Sequence, residues 1–215
     1  VRPRTGEILA MATRPAFNPN EPGEAAIETT KNRAIIDMVE PGSTFKIVVI
    51  AAALEQKAVT PESVFHCENG SFAYAGKILR DVHGYGSMSV HDIMVKSTNI
   101  GCAKIAMHLG ADTFYEYIRR FGFGERTGLG LPGEIPGLVR PRHSWTGLSI
   151  TRVPMGHEIA VTPLQIAMAM SVIANGGNMM LPQIVRSVHD DNGREVVAFS
   201  PEILRRVVSE DTAAK

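Results

Sequence analysis

The chain has 215 residues, with 22 lysines and arginines against 22 aspartates and glutamates, so its formal net charge is zero. Apolar residues make up 44% and charged residues 20%, a balance that supports a buried core and argues against disorder. A neutral chain has no electrostatic footprint for nucleic acid, and no apolar run approaches the ~20 residues that cross a bilayer.

In chain order, Arg4-Thr5-Gly6-Glu7 reads as a turn and 8–12 as a first strand, followed by a Pro- and Asn-rich loop over 14–22. Glu40-Pro41-Gly42-Ser43 breaks the chain and starts a helix in which every residue from 45 to 54 is apolar except Lys46. A helix apolar on all sides belongs in the middle of a protein. Residues 63–88 read as short strands and loops. A short amphipathic helix over 90–96 is interrupted at Ser97-Thr98-Asn99, and an apolar helix over 100–109 follows. A further helix over 112–121 closes at Gly122, and 124–142 is a Gly- and Pro-rich loop. Thr162-Pro163-Leu164-Gln165 has the form of a capping box with proline in the first turn, opening a helix that ends at Asn175-Gly176-Gly177. Residues 183–199 read as a hairpin about Asp191-Asn192-Gly193, and 202–215 as a helix that stops abruptly. Helices in the middle and strands toward both ends predict an α+β fold with a partial antiparallel sheet rather than alternating βαβ units.

The chemistry concentrates at Ser43-Thr44-Phe45-Lys46. Serine and lysine three apart at a helix start share a face, with Cβ atoms about 5–6 Å apart. A serine hydroxyl is a weak nucleophile that needs a base. Lysine serves as one only when its pKa falls well below ~10.4, and burial in an apolar helix drives it that way. The helix N-terminus favours a developing oxyanion. The plainer reading of the same four residues is a capping serine and a lysine that reaches solvent, but the apolar run leaves Lys46 no obvious way out. By themselves Ser97 and Asn99 read as a helix break held by local side-chain bonds. Cys67 and Cys102 permit one disulfide, although Cys102 lies in an apolar run where a free thiol packs as a small hydrophobe. The histidines and cysteines show no metal-ligand spacing, so neither a metal nor a cofactor is expected.

Asn32-Arg33-Ala34 with Glu40-Pro41-Gly42-Ser43-Thr44-Phe45-Lys46 resembles the active-site segment of class B penicillin-binding proteins, the peptidoglycan D,D-transpeptidases, and is closest to the division-type (septal) branch. The resemblance extends over Thr5–Ala12, Phe17–Asn20, the S-x-N motif at Ser97-Thr98-Asn99, Thr127–Glu134 and Val161–Ala167. It implies the penicillin-binding protein and serine β-lactamase-like transpeptidase fold. Ser43 would attack the penultimate D-Ala carbonyl of a D-Ala-D-Ala stem peptide, and Lys46 would take its proton. Ser97 would relay a proton to the leaving amine, and Asn99 would hold Lys46 or the substrate backbone. β-Lactams would stop at the acyl stage. The resemblance also implies a place on the periplasmic face of the bacterial inner membrane, with an N-terminal anchor outside this chain. The implied partners are peptidoglycan stem peptides, a membrane glycosyltransferase and other division or elongation proteins, but no nucleic acid.

Two departures stand out. No lysine is followed by the K-[ST]-G triplet, the family's third motif. Residues 1–215 are therefore expected to form a partial transpeptidase domain, cut at both ends and inactive alone. Glu158, in Met155-Gly156-His157-Glu158, stands where the family usually has the second glycine of a G-x-G turn, which leaves the backbone there open. Two rival functions remain: a serine β-lactamase or β-lactam sensor of the same fold, and a non-catalytic scaffold of the cell-wall machinery.

Overall fold

Ten residues with a single polar member form the axis of the molecule. In the computed structural model, which describes residues 1–215, the segment Gly42–Phe45 makes a tight 3₁₀ turn that runs directly into a helix over Lys46–Glu55. Val48, Val49, Ile50, Ala51, Ala52 and Ala53 of that helix are all buried, as a helix without a polar face requires. Phe45 packs its ring against Phe123 and Phe114, with centroids 5.0 Å and 6.4 Å apart.

The elements around this axis are short. Helix α1 (Arg33–Ile36) precedes the central α2 (Lys46–Glu55). Strands β1 (Val64–His66), β2 (Ser71–Tyr74), β3 (Lys77–Arg80) and β4 (Ser87–Ser89) follow. β1 pairs antiparallel with β4, and β2 with β3, the second pair in the register Ser71 to Arg80. Helices α3 (Val90–Lys96), α4 (Asn99–Leu109) and α5 (Ala111–Arg120) then pack against α2. After the Gly- and Pro-rich loop come β5 (Leu138–Val139), α6 (Ser149–Arg152), β6 (Ile159–Ala160) and α7 (Pro163–Ala174). The last third holds β7 (Asn178–Met180), the hairpin β8 (Ser187–His189) and β9 (Glu195–Ala198), β10 (Ile203–Arg206) and α8 (Glu210–Ala214). Every sheet has two strands and every named strand pairs antiparallel, within an α+β arrangement. No helix is long and apolar enough to cross a membrane.

Two segments differ from the sequence expectation. Residues 8–12 form no strand, because the chain end contributes only a parallel bridge between Glu7 and Gln183. Residues 202–215 are not one helix: β10 pairs with β7, and a helix begins only after Ser209, whose hydroxyl accepts from the Thr212 N–H. The free edge of β7 supplies hydrogen-bond partners for residues 203–206, and this long-range pairing overrides local helix preference. Both cysteines are free and buried.

Candidate active site

The four residues singled out in the sequence come from two places that folding brings together. Ser43 lies in the 3₁₀ turn ahead of α2, is exposed, and sits at the mouth of a cavity of about 320 Å³. Ser97, Asn99, Asp81 and Lys96 line the same cavity. One turn further, Lys46 is only 1% exposed. Its ammonium nitrogen crosses to the break between α3 and α4, where it meets the Ser97 carbonyl, the Ser97 hydroxyl at 3.0 Å and Asn99 Oδ1 at 2.9 Å. No hydrogen bond joins Lys46 to Ser43; its three contacts all go to the S-x-N segment.

That segment takes its shape from the junction of two helices. Ser89 caps α3, its hydroxyl accepting from Asp92 N–H at 3.0 Å. The helix ends with Ser97 in the left-handed region, at φ 55° and ψ 43°, where a residue with a side chain is strained. Such strain is found where surrounding structure over-determines a conformation, often at functional sites. Here it directs both the carbonyl and the hydroxyl of Ser97 at Lys46. Thr98 restarts the helix by accepting from Gly101 N–H at 3.2 Å.

Asp81 completes the arrangement and had no signature in the sequence. Its carboxylate accepts from the first two N–H groups of α4, at Asn99 and, at 3.4 Å, at Ile100. A carboxylate at a helix N-terminus satisfies donors that lack helical partners and complements the dipole. The Asn99 amide is fixed from its other side as well, donating to the Arg80 carbonyl at 3.1 Å. The only available hint was an aspartate 18 residues before Asn99, which no local pattern connects to the S-x-N motif.

Electrostatics follow from burial. Loss of water pushes the Lys46 pKa down, opposed by the nearby Asp81 carboxylate. A neutral amine keeps all three contacts: two N–H groups serve the Ser97 carbonyl and Asn99 Oδ1, and the lone pair accepts from the Ser97 hydroxyl. Burial pushes the Cys102 thiol up to about 12, so it stays protonated and inert beside Lys46. The site can therefore hold an uncharged amine, one hydroxyl in contact with it and a second hydroxyl at the entrance. That equipment suits transfer of an acyl group to serine.

Comparison with known proteins agrees with this chemistry. Residues 1–215 match the family model described as the penicillin-binding protein transpeptidase domain. The chain is 36% identical over 213 residues to penicillin-binding protein PbpB of Mycolicibacterium smegmatis, covering 98% of this chain and 33% of that protein. It is 35% identical over 202 residues to the probable peptidoglycan D,D-transpeptidase PenA of Neisseria gonorrhoeae, covering 90% of this chain and 34% of the relative. Among solved structures it is similar to penicillin-binding protein 3 of Mycobacterium tuberculosis complexed with ampicillin. That likeness has a TM-score of 0.85 at 32% identity and covers 99% of this chain and 47% of the other. The chain thus spans about a third of the length of the curated relatives it matches.

Proposed function

We propose an activity on one premise: this chain belongs to the penicillin-binding protein transpeptidase family. Its function is then peptidoglycan cross-linking by acyl-serine D,D-transpeptidation. Ser43 Oγ bonds to the penultimate D-Ala carbonyl carbon of a stem peptide while its proton passes to neutral Lys46. The tetrahedral centre collapses, the C–N bond to the terminal D-Ala breaks, and Ser97 delivers its hydroxyl proton to the leaving nitrogen while taking up the proton that Lys46 holds, which leaves Lys46 neutral again. An amine from a second stem peptide attacks the ester, its proton passes to neutral Lys46, and Lys46 hands that proton to Ser43 Oγ as the ester C–O bond breaks. β-Lactams acylate the same hydroxyl and remain. The setting is wall synthesis at the extracytoplasmic face of a bacterial membrane, alongside a glycosyltransferase and other division or elongation proteins.

The observation that supports this reading best is Lys46, buried to 1% exposure and held by Ser97 and Asn99, which line the same cavity as Ser43. Catalytic hydrogen bonds often tighten only in the complex with substrate, which accommodates the missing Ser43–Lys46 bond. Mass spectrometry after incubation with a fluorescent penicillin tests it. A stable one-to-one adduct on Ser43 of the full-length protein, lost in Ser43→Ala, is the expected result, while residues 1–215 alone, which lack the K-[ST]-G triplet, are expected to give none. Rapid penicillin turnover would instead indicate a β-lactamase, and no adduct at all a non-catalytic scaffold.

A further inference from the structure

The turn that displaces the family's second glycine lies directly behind the nucleophile. Gly156 and Gly42 are in backbone contact: a Cβ on Gly156 would come 2.3 Å from the Gly42 oxygen and 2.4 Å from its nitrogen. Two residues further, Glu158 adopts the left-handed conformation that favours glycine, at φ 61°. Its carboxylate is held by the Ser149 hydroxyl at 2.7 Å and lies 3.8 Å from Arg152 Nε. This turn then reaches back to the residue that starts the Pro41-Gly42-Ser43 break. The Glu158 N–H donates to Glu40 Oε1 at 3.2 Å, and His157 Nδ1 lies 2.9 Å from Glu40 Oε2. Both oxygens of one carboxylate are thereby committed to two successive residues of the turn. These hydrogen bonds hold the Glu40 carboxyl below the usual carboxylate range.

We propose that Glu40 is a positioning residue, whose two bonds to His157 and Glu158 fix the Ser43 turn against the 155–158 turn and so aim the Ser43 hydroxyl into the cavity that holds Ser97 and Asn99. The role in acylation rests on the function proposed above. Glu40 and His157 are both about half exposed, and a polar side-chain contact in that setting adds little stability. Its effect is geometric: a nucleophile displaced by about 1 Å loses rate on the order of a hundredfold. His157 faces Glu40 on one side. On the other it borders a second cavity, of about 300 Å³, whose charged lining is Lys77, Arg80 and Arg152, so no other acid competes for it there.

The test measures acylation of the intact protein by a fluorescent penicillin, separating the binding constant from the acylation rate, beside melting temperature and the amide NMR resonance of Ser43. Glu40→Ala is expected to slow acylation roughly ten- to a hundredfold while binding stays within about threefold. Its Ser43 amide resonance shifts, and its melting temperature stays within about 2 °C of the parent. Glu40→Gln is expected to recover to within about threefold, since its carbonyl still accepts from Glu158 N–H and its amide can donate to a neutral His157. The proposal is overturned if Glu40→Ala acylates at the parental rate, if Gln fails as badly as Ala, or if the rate loss follows a loss of folded protein. Should the parent protein itself not be acylated, the transpeptidase reading fails alone. The Ser43 resonance then decides on positioning: an unmoved signal in Glu40→Ala overturns it.

Discussion

Lys46 contributes a single nitrogen, and its surroundings decide what that nitrogen can do. Burial lowers its pKa, so the neutral form is reached at lower pH than for a free lysine, near ~10.4. A base must be neutral to accept a proton, so acylation is expected to rise with pH along a limb whose midpoint lies below that reference value. Stopped-flow measurement across pH checks it, and a midpoint at or above the free value would show that Lys46 is not the base. Lys46→Met is expected to lower the acylation rate by roughly 10²- to 10⁴-fold, the usual contribution of a positioned base. The burial of Lys46 at the start of an apolar helix, three residues after Ser43, was legible in the sequence, whereas the direct Ser43–Lys46 contact expected from that spacing is not formed. The contacts of Lys46 with Ser97 and Asn99 were not legible, because they join residues 51 and 53 positions apart.

Helix α7 shows what a local signal can and cannot specify. The capping box predicted from Thr162 and Gln165 is present, with Gln165 N–H donating to the Thr162 hydroxyl at 3.2 Å and Thr162 N–H to Gln165 Oε1 at 2.8 Å. Gln165 also donates to the Glu125 and Pro136 carbonyls, at 2.8 and 2.9 Å, so it pins the Gly- and Pro-rich loop to the helix start. Thr162→Ala is expected to cost about 1 kcal/mol, the usual loss of a cap. Gln165→Ala should cost more, about 2–4 kcal/mol, because it leaves several buried partners unsatisfied. Urea denaturation of the two variants orders them; equal losses would show that the loop contacts carry no weight. The segments misread from sequence, 8–12 and 202–215, are those whose partners lie far along the chain or whose apolar residues stay exposed. Ile203 and Leu204 are both exposed, so no amphipathic period marked 203–206 as strand or helix.

For the whole molecule, the first residues are stitched to the last third of the chain. Gln183 N–H donates to the Gly6 carbonyl at 3.0 Å, Ile8 N–H to the Gln183 carbonyl at 2.8 Å, and the Asn175 amide to the Pro3 carbonyl at 2.8 Å. Gly6 has φ 77°, and a Cβ there would fall 2.2 Å from the Leu181 oxygen. Gly6→Ala is therefore expected to destabilise by about 1–3 kcal/mol through left-handed strain and forced separation of the two segments. Calorimetry checks this, and an unchanged melting temperature would show that the amino-terminal stitch yields freely.

Residue type and spacing alone determined the apolar central helix, the serine and lysine three apart at its start, the break at Ser97 and the cap of α7, because each depends on interactions within about four residues. Tertiary structure alone decided that Lys46 turns to Ser97 and Asn99, that Asp81 anchors α4, and that Glu40 meets His157 and Glu158 across more than a hundred residues. The reason is physical: a buried polar group must find a partner, and which partner lies within reach is a property of packing rather than of sequence neighbourhood.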